Sequence, residues 1–286
     1  MSHLASLESH IAVLIVGHGT RRASGVAQFL NLVAQLQDHQ PTWSIHAAFL
    51  ELAEPTIEQA IQEISAAGLR RLIVVPVLLF SAGHAKSDIP DAVAACAQKY
   101  GIDVLGQTPS LGTHPEVIAL SNIRFAEMTS SLATSGCPVG HCGAGLTLQA
   151  SSRNCESVCP LQGSRPLRIA LAMVGRGTSD ETALAHMREF TALASSSRQI
   201  AWVNTGFFAG GQPDVDTLLE QAAQATEDCG HQLGKACDTV LIQPHLLFEG
   251  ELMDQLRSKL LRCRQLYPDR NWILADRKST RLNSSH

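Results

Sequence analysis

The segment Val13-Leu-Ile-Val-Gly-His-Gly-Thr20 reappears 158 residues later as Leu171-Ala-Met-Val-Gly-Arg-Gly-Thr178. An apolar run that ends in a glycine-rich stretch is typical of a buried parallel strand followed by a tight turn. One difference between the copies stands out, because His18 of the first is replaced by Arg176 in the second. The repeat therefore predicts two similar halves, of which only the first keeps this histidine.

Two further blocks extend the repeat along the chain. Phe49-Leu50 through Pro55 matches Phe207-Phe208 through Pro213 at the same offset. Pro76-Val-Leu-Leu-Phe80 matches Pro244-His-Leu-Leu-Phe248 at an offset of 168 residues. Each half then holds roughly 110 to 130 residues, which is near the usual size of a domain.

The apolar pattern predicts an α/β fold, with two similar flavodoxin-like or Rossmann-like parallel-sheet halves that face a central cleft. Strand-length apolar runs alternate with segments of helical period, and this order is typical of parallel strands joined by crossover helices. The predicted strands are Ile11–Val16, Ser44–Leu50, Leu72–Leu79, Asp103–Gly106, Arg168–Val174, Ile200–Thr205, Thr239–Pro244 and Trp272–Ala275. The predicted helices are Ala23–Gln37, Thr56–Ala67, Ile89–Lys99, Pro115–Ser131, Glu181–Ala194, Val215–Thr226 and Glu251–Arg264.

Composition and the repeat together predict the domain boundaries. Residues 133–166 are rich in Ser, Gly, Pro and Cys and lack periodicity, which is typical of a linker or lid. Residues 277–286 are polar and stand where the repeat predicts another helix, so we expect a disordered or non-native tail there. The expected order is a first half over 1–132, this linker, a degenerate second half over 167–276, and the tail.

Composition also excludes several classes of protein. The chain has 286 residues, 45% of them hydrophobic and 17% charged, which is too apolar and too evenly mixed for a disordered protein. A net charge of -4 gives no basic field for nucleic acid. The longest apolar run, Leu72 to Phe80, is interrupted by Pro76 and is far too short to span a bilayer, so we expect no membrane contact.

The first ten residues lack the basic start and apolar stretch of a secretory signal, which predicts a cytoplasmic protein. In a reducing compartment the cysteines are expected to be thiols. Five linker residues nevertheless form a candidate second metal or redox cluster, for zinc or an iron–sulfur centre: Cys137, His141, Cys142, Cys155 and Cys159. Their spacing differs from the tight pairs of common zinc ribbons, so plain flexible thiols remain the competing interpretation.

Three side chains with metal-binding chemistry follow successive strands of the first half. His18 follows the first strand, Glu51 the second, and His84 comes shortly after the third. In an open parallel sheet, ligands sit beyond the carboxyl ends of the strands. Two imidazoles and a carboxylate suit divalent iron, cobalt or nickel and also accept protons near neutral pH. In the second half the counterparts are Arg176, Ala209 and about Leu252, so the pattern predicts one functional site.

Three long motifs of the first half resemble the sirohydrochlorin chelatase family. They are Leu14-Ile-Val-Gly-His-Gly-Thr-Arg-Arg22, Ala48-Phe-Leu-Glu-Leu-Ala-Glu-Pro-Thr-Ile57 and Pro76-Val-Leu-Leu-Phe-Ser-Ala-Gly-His-Ala-Lys-Ser-Asp-Ile-Pro90. The second half, with Val174-Gly-Arg-Gly-Thr-Ser-Asp180, is similar to the degenerate half of two-domain members. The Cys-rich linker and the missing last helix depart from the family pattern.

The resemblance implies a class II chelatase. Such an enzyme inserts cobalt or ferrous iron into sirohydrochlorin without ATP, on routes to cobalamin or siroheme. His18 and His84 would be the metal and catalytic histidines, and Glu51 the neighbouring acid. Because the substrate carries many carboxylates, four cations are candidate substrate-binding residues: Arg21, Arg22, Lys86 and Arg176.

Other functions remain open from the residues alone. A histidine phosphatase also carries His-Gly after its first strand, but there an arginine precedes the histidine, and here Gly17 does. A metal chaperone or tetrapyrrole carrier would use the same ligands without turnover. The cleft can form within one chain, so we expect a monomer, with a homodimer as the alternative.

Overall fold

Strand and helix alternate along the chain in this computed structural model. The structure describes residues 11–80, 84–134, 169–198, 200–233 and 239–275. Within these ranges it describes the backbone alone for residues 84–86, 130–134 and 227–233. The first half contains β1 (Ile11–Gly17), α1 (Ala23–His39), β2 (Ser44–Phe49), α2 (Ile57–Ala66), β3 (Arg71–Pro76), α3 (His84–Tyr100), β4 (Asp103–Gln107) and α4 (Pro115–Thr134). The second contains β5 (Ile169–Gly177), α5 (Glu181–Ser195), β6 (Trp202–Ala209), α6 (Val215–Leu233), β7 (Thr239–Pro244), α7 (Glu251–Leu266) and β8 (Asn271–Leu274).

Each half forms a four-stranded parallel sheet with the same strand order. The orders are β2-β1-β3-β4 and β6-β5-β7-β8, and every pairing is parallel. The central strands are apolar and buried because helices cover both faces of the sheet. The predicted α/β class and the doubling of the fold are confirmed.

Several predicted boundaries were wrong, among them the end of β6 and the start of α3. β6 was expected to end at Thr205, before Gly206, but it continues to Ala209 because Phe207 and Ala209 still pair with β5. The third helix was expected to start at Ile89, where its helical period begins. It starts instead at His84 and carries Pro90 inside, so His84 belongs to a helix rather than a loop.

Helix α4 follows the first sheet in sequence but packs against the second. Phe125 is buried in the cluster of Leu171, Met187 and Leu241, and Val117 and Ile118 pack against the same cluster. At positions equivalent to Leu241 and Gln243, which are buried, the first sheet has Ile73 and Val75, which are only half-buried. One helix therefore joins the two halves by covering a sheet to which it does not belong.

A buried polar cluster fixes α4 in place. Gln243 Nε2 donates hydrogen bonds to the backbone oxygen and hydroxyl of Ser121, at 3.0 and 2.9 Å. Arg198 donates to Asn122 Oδ1 at 2.8 Å and stacks over the Phe125 ring at 4.3 Å from its centroid. Burial lowers the pKa of the Arg198 guanidinium to about 10. Its hydrogen-bond acceptors are neutral amides and a hydroxyl, so they do not supply a negative charge that would oppose this effect.

We predict that Phe125→Ala lowers the free energy of unfolding by about 3–4 kcal/mol, because it leaves a cavity between α4 and the second sheet. Ile123→Ala on the same helix is the matched control, since Ile123 is 56% exposed against 9% for Phe125. The control should cost about 0.5 kcal/mol. Urea denaturation measures both, and equal losses would show that α4 does not depend on this contact.

Candidate active site at the end of the first sheet

The order of the first sheet creates a crevice beside β1. The chain moves from β1 to β2 on one side and then crosses to β3 on the other, so β1 lies between them. Such a switch point is where parallel sheets bind ligands. His18 directly follows β1, Glu51 lies two residues beyond β2, and His84 opens the helix after β3.

His18 and Glu51 form a close pair. His18 Nδ1 lies 3.5 Å from Glu51 Oε1, and the two side chains are 29% and 53% exposed. Backbone hydrogen bonds from Leu50 N to Gly17 O and from Glu51 N to His18 O, at 2.9 and 3.0 Å, hold the two loops together. A half-buried imidazole beside an accessible carboxylate can bind a divalent metal ion or accept a proton.

Gly19 makes this pairing possible. Its φ is 99°, and a Cβ on this residue would collide with the carbonyl oxygen of Glu51. Gly177, with φ of 81°, makes the same approach to the carbonyl oxygen of Ala209 in the second half. The backbone arrangement is therefore common to both halves, whereas the His and Glu side chains belong to the first alone.

Charged residues from both halves act on the His18 imidazole. Burial lowers the pKa of the His18 imidazole below its ordinary value, the positive charge of Arg176 lowers it further, and the Glu51 carboxylate opposes both. Arg176 itself is exposed near the end of β5. His18 is therefore neutral at physiological pH, which is the form that ligates metals.

The remaining predicted residues have different surroundings. Arg21 is exposed in the β1–α1 loop. Arg22 Nη2 lies 2.7 Å from Asp254 Oδ2 on α7, so its guanidinium bridges the two halves. His84 and Lys86 lie in the first turn of α3, but their side chains are outside the described residues.

The N-termini of α1 and α5 lie just after the two glycine-rich turns, where backbone N–H groups can bind anions. At α5 some of these groups are already occupied, because Asp180 Oδ1 accepts hydrogen bonds from Thr182 N and Ala183 N. At α1 the equivalent residue is Arg22, which makes no side-chain capping bond. The first half therefore offers the better anion site.

A cavity of about 360 Å³ lies between the halves, where the β4–α4 connection meets α5. Its walls include Phe80, His114, His186 and Glu189. His186 and Glu189 were not predicted, because they come from a helix without any motif. His114 directly precedes α4, and its Nδ1 accepts a hydrogen bond from Glu116 N in the first turn of that helix.

Two predicted features lie outside the described residues. One is the 277–286 tail, and the other is the cluster of Cys137, His141, Cys142, Cys155 and Cys159. Among the described side chains, no three His, Cys, Asp or Glu residues are grouped to hold a metal ion. None of the helices within the described ranges has the length and apolarity needed to cross a membrane.

Comparison with known families agrees with the duplicated architecture. The CbiX family model matches the chain twice, over residues 12–128 and 170–277. The two matches cover most of the chain and coincide with the two sheets. The chain therefore belongs to the CbiX family.

Several characterised proteins are similar over most of their length. A sirohydrochlorin ferrochelatase of Priestia megaterium is 27% identical over 250 residues, covering 87% of this chain and 77% of that protein. A sirohydrochlorin cobaltochelatase of the same organism is 25% identical over 265 residues, covering 92% and 73%. The solved structure of SirB from Bacillus subtilis with Fe3+ has the same fold, with a TM-score of 0.68 at 22% identity over 93% of this chain and 87% of that one.

We predict that Arg176→Ala raises the pKa of His18 and that Glu51→Gln lowers it, because these charges act on the imidazole in opposite directions. An imidazole ligates metal only when neutral, so we expect Co2+ binding by Arg176→Ala to fail at a higher pH on acidification than in the parent protein. NMR titration of the His18 ring between about pH 5 and 8 measures this. Shifts of the same sign in both variants would contradict the prediction.

Proposed function

We propose that this protein is a sirohydrochlorin chelatase that inserts Co2+ or Fe2+ into sirohydrochlorin. The observation that carries the proposal is the His18–Glu51 pair at the switch point of the first sheet. The second half keeps the same backbone but has Arg176 and Ala209 at these positions. The names of the relatives, which include both a ferrochelatase and a cobaltochelatase, support this reaction.

The reaction requires a metal ligand that releases its ion and a base that removes protons. Insertion replaces two pyrrole N–H protons with one divalent metal ion, so the macrocycle gains the metal and two protons leave. His18, kept neutral by burial and by Arg176, delivers the ion through its imidazole. Glu51 accepts the two pyrrole protons one after the other, and its exposure allows each proton to pass to water before the next is taken up.

We assign His84 as the second histidine of the site, by its position at the start of α3. Open coordination positions would remain for the pyrrole nitrogens, unlike in a closed four-ligand structural site. The metal is thus a substrate in transit. The proposed ligands suit cobalt and iron alike, since these ions share the same ligand preferences, and nickel stays a prediction. A zinc or iron–sulfur centre in the linker also stays a prediction.

Cations around the site would bind the carboxylates of the macrocycle. Arg176 is the strongest candidate, because it is exposed and its charge already acts on His18 from the opposite half. Arg21 and Lys86 are the candidates on the first half. Arg22 must leave Asp254 before it can bind a substrate carboxylate. Both walls belong to one chain, so a monomer suffices for the proposed site.

Anaerobic incubation with sirohydrochlorin and Co2+ or Fe2+ tests the function, with insertion followed by absorbance. The parent protein should accelerate insertion, and His18→Ala and His84→Ala should each lose about 100-fold of the rate. His39→Ala is the matched control, because His39 is exposed at the end of α1 and bonds only locally to Gln35 O. Binding of the macrocycle without faster insertion would instead identify a carrier.

We further predict that Arg176→Ala raises the KM for sirohydrochlorin by about tenfold while Co2+ alone still binds at pH 8, where His18 is neutral in either protein. The removed guanidinium would no longer pair with a ring carboxylate. Steady-state kinetics give the KM, and calorimetry gives the metal affinity. An unchanged KM would remove Arg176 from the substrate site.

A further inference from the structure

Leu52 has an unusual backbone conformation beside the candidate site. Its φ is 62°, and among the described residues it is the one non-glycine residue with a positive φ. The left-handed region is unfavourable for a branched side chain because Cβ crowds the backbone. Such a conformation persists only where the surrounding structure imposes it.

The second half shows what this position requires. Gly210 is the counterpart of Leu52, at the offset of 158 residues, and its φ is 67°. A Cβ on Gly210 would collide with the backbone oxygen of Thr178. The loop therefore needs a positive φ in both halves, and glycine is the residue that adopts it freely.

Folding does not explain why the first half has leucine here. Leu52 is 49% exposed. Burial of its side chain in the folded chain therefore offsets only part of the free energy that its left-handed backbone conformation costs. Its neighbour Ala53 packs against the adjacent apolar cluster, whereas Leu52 is absent from that group of contacts. An exposed apolar side chain on an unfavourable backbone points to a ligand.

The position of Leu52 identifies the surface that it would meet. It directly follows Glu51, whose carboxylate lies 3.5 Å from His18. A macrocycle whose central nitrogens approach His18 and Glu51 presents the carbon face of its pyrrole rings to the surroundings of that pair. Binding pockets combine apolar contacts of this kind with a few polar groups.

We propose that Leu52 is a substrate-positioning residue, whose side chain packs against the apolar face of the tetrapyrrole next to the metal site. This inference rests on the proposed function. It assigns to the first half a second specialisation, an apolar contact, beside the His–Glu pair. Glu51 of that pair and Leu52 are consecutive residues of the loop after β2.

The test compares Leu52→Gly with Leu52→Met in the full-length protein. Leu52→Gly should not lower the melting temperature, because glycine suits this backbone, yet it should weaken binding of metal-free sirohydrochlorin by about tenfold. Leu52→Met keeps an apolar side chain and should retain nearly the parent affinity. Affinity for Co2+ alone should stay unchanged in both variants.

Two results would overturn the inference. Unchanged sirohydrochlorin affinity in Leu52→Gly would show that the side chain does not contact the substrate. A lower melting temperature in that variant would show that Leu52 serves the fold. If the parent protein itself fails to bind sirohydrochlorin, the proposed function fails first. Parent binding with an unaffected Leu52→Gly variant refutes only the role of Leu52.

Discussion

The close approach of Gly19 to the carbonyl oxygen of Glu51 is the constraint on which the site depends. It brings the loops after β1 and β2 into backbone contact, so that His18 and Glu51 face each other. Any side chain at position 19 would separate the loops and break the pair. The same approach in the second half, between Gly177 and Ala209, is present without a His–Glu pair. The backbone contact is therefore a requirement of the fold and does not depend on the side chains proposed for catalysis.

Because the fold is duplicated, equivalent positions of the two halves can be compared to distinguish residues that the backbone requires from residues with a proposed function. Positions that serve the backbone are kept, such as Gly19 and Gly177 with their positive φ. Glu51 and Leu52 are replaced by Ala209 and Gly210 although the backbone stays the same, and this difference supports the functional roles proposed for them. The second half acts as an internal reference for what the fold alone requires, because both halves experience the same parallel-sheet geometry.

The sequence was sufficient for the fold and for part of the site. Apolar runs and repeated glycines report backbone geometry directly, and His18 and Glu51 follow strands, where ligands bind. The sequence did not predict the contacts between residues that lie far apart in the chain. The apolar stripe of α4 predicts a helix but does not say which sheet it covers. Arg22 was assigned to the substrate because it is a cation close to His18, and nothing in the sequence indicated its pairing with Asp254, 232 residues away. The positive φ of Leu52 was not predicted, because leucine is not a residue typical of turns.

The charge state of His18 depends on how the halves are joined, since Arg176 acts on it from the second half. Arg22 and Asp254 form an exposed ion pair, which contributes little to stability. The α4 interface buries Phe125 and satisfies Ser121, Asn122 and Gln243 with hydrogen bonds, so it contributes far more. Packing of α4 on the second sheet therefore holds the two halves together more firmly than this ion pair does. Because Arg176 lowers the pKa of His18 in addition to burial, the joining of the halves favours the neutral imidazole that the proposed metal site requires.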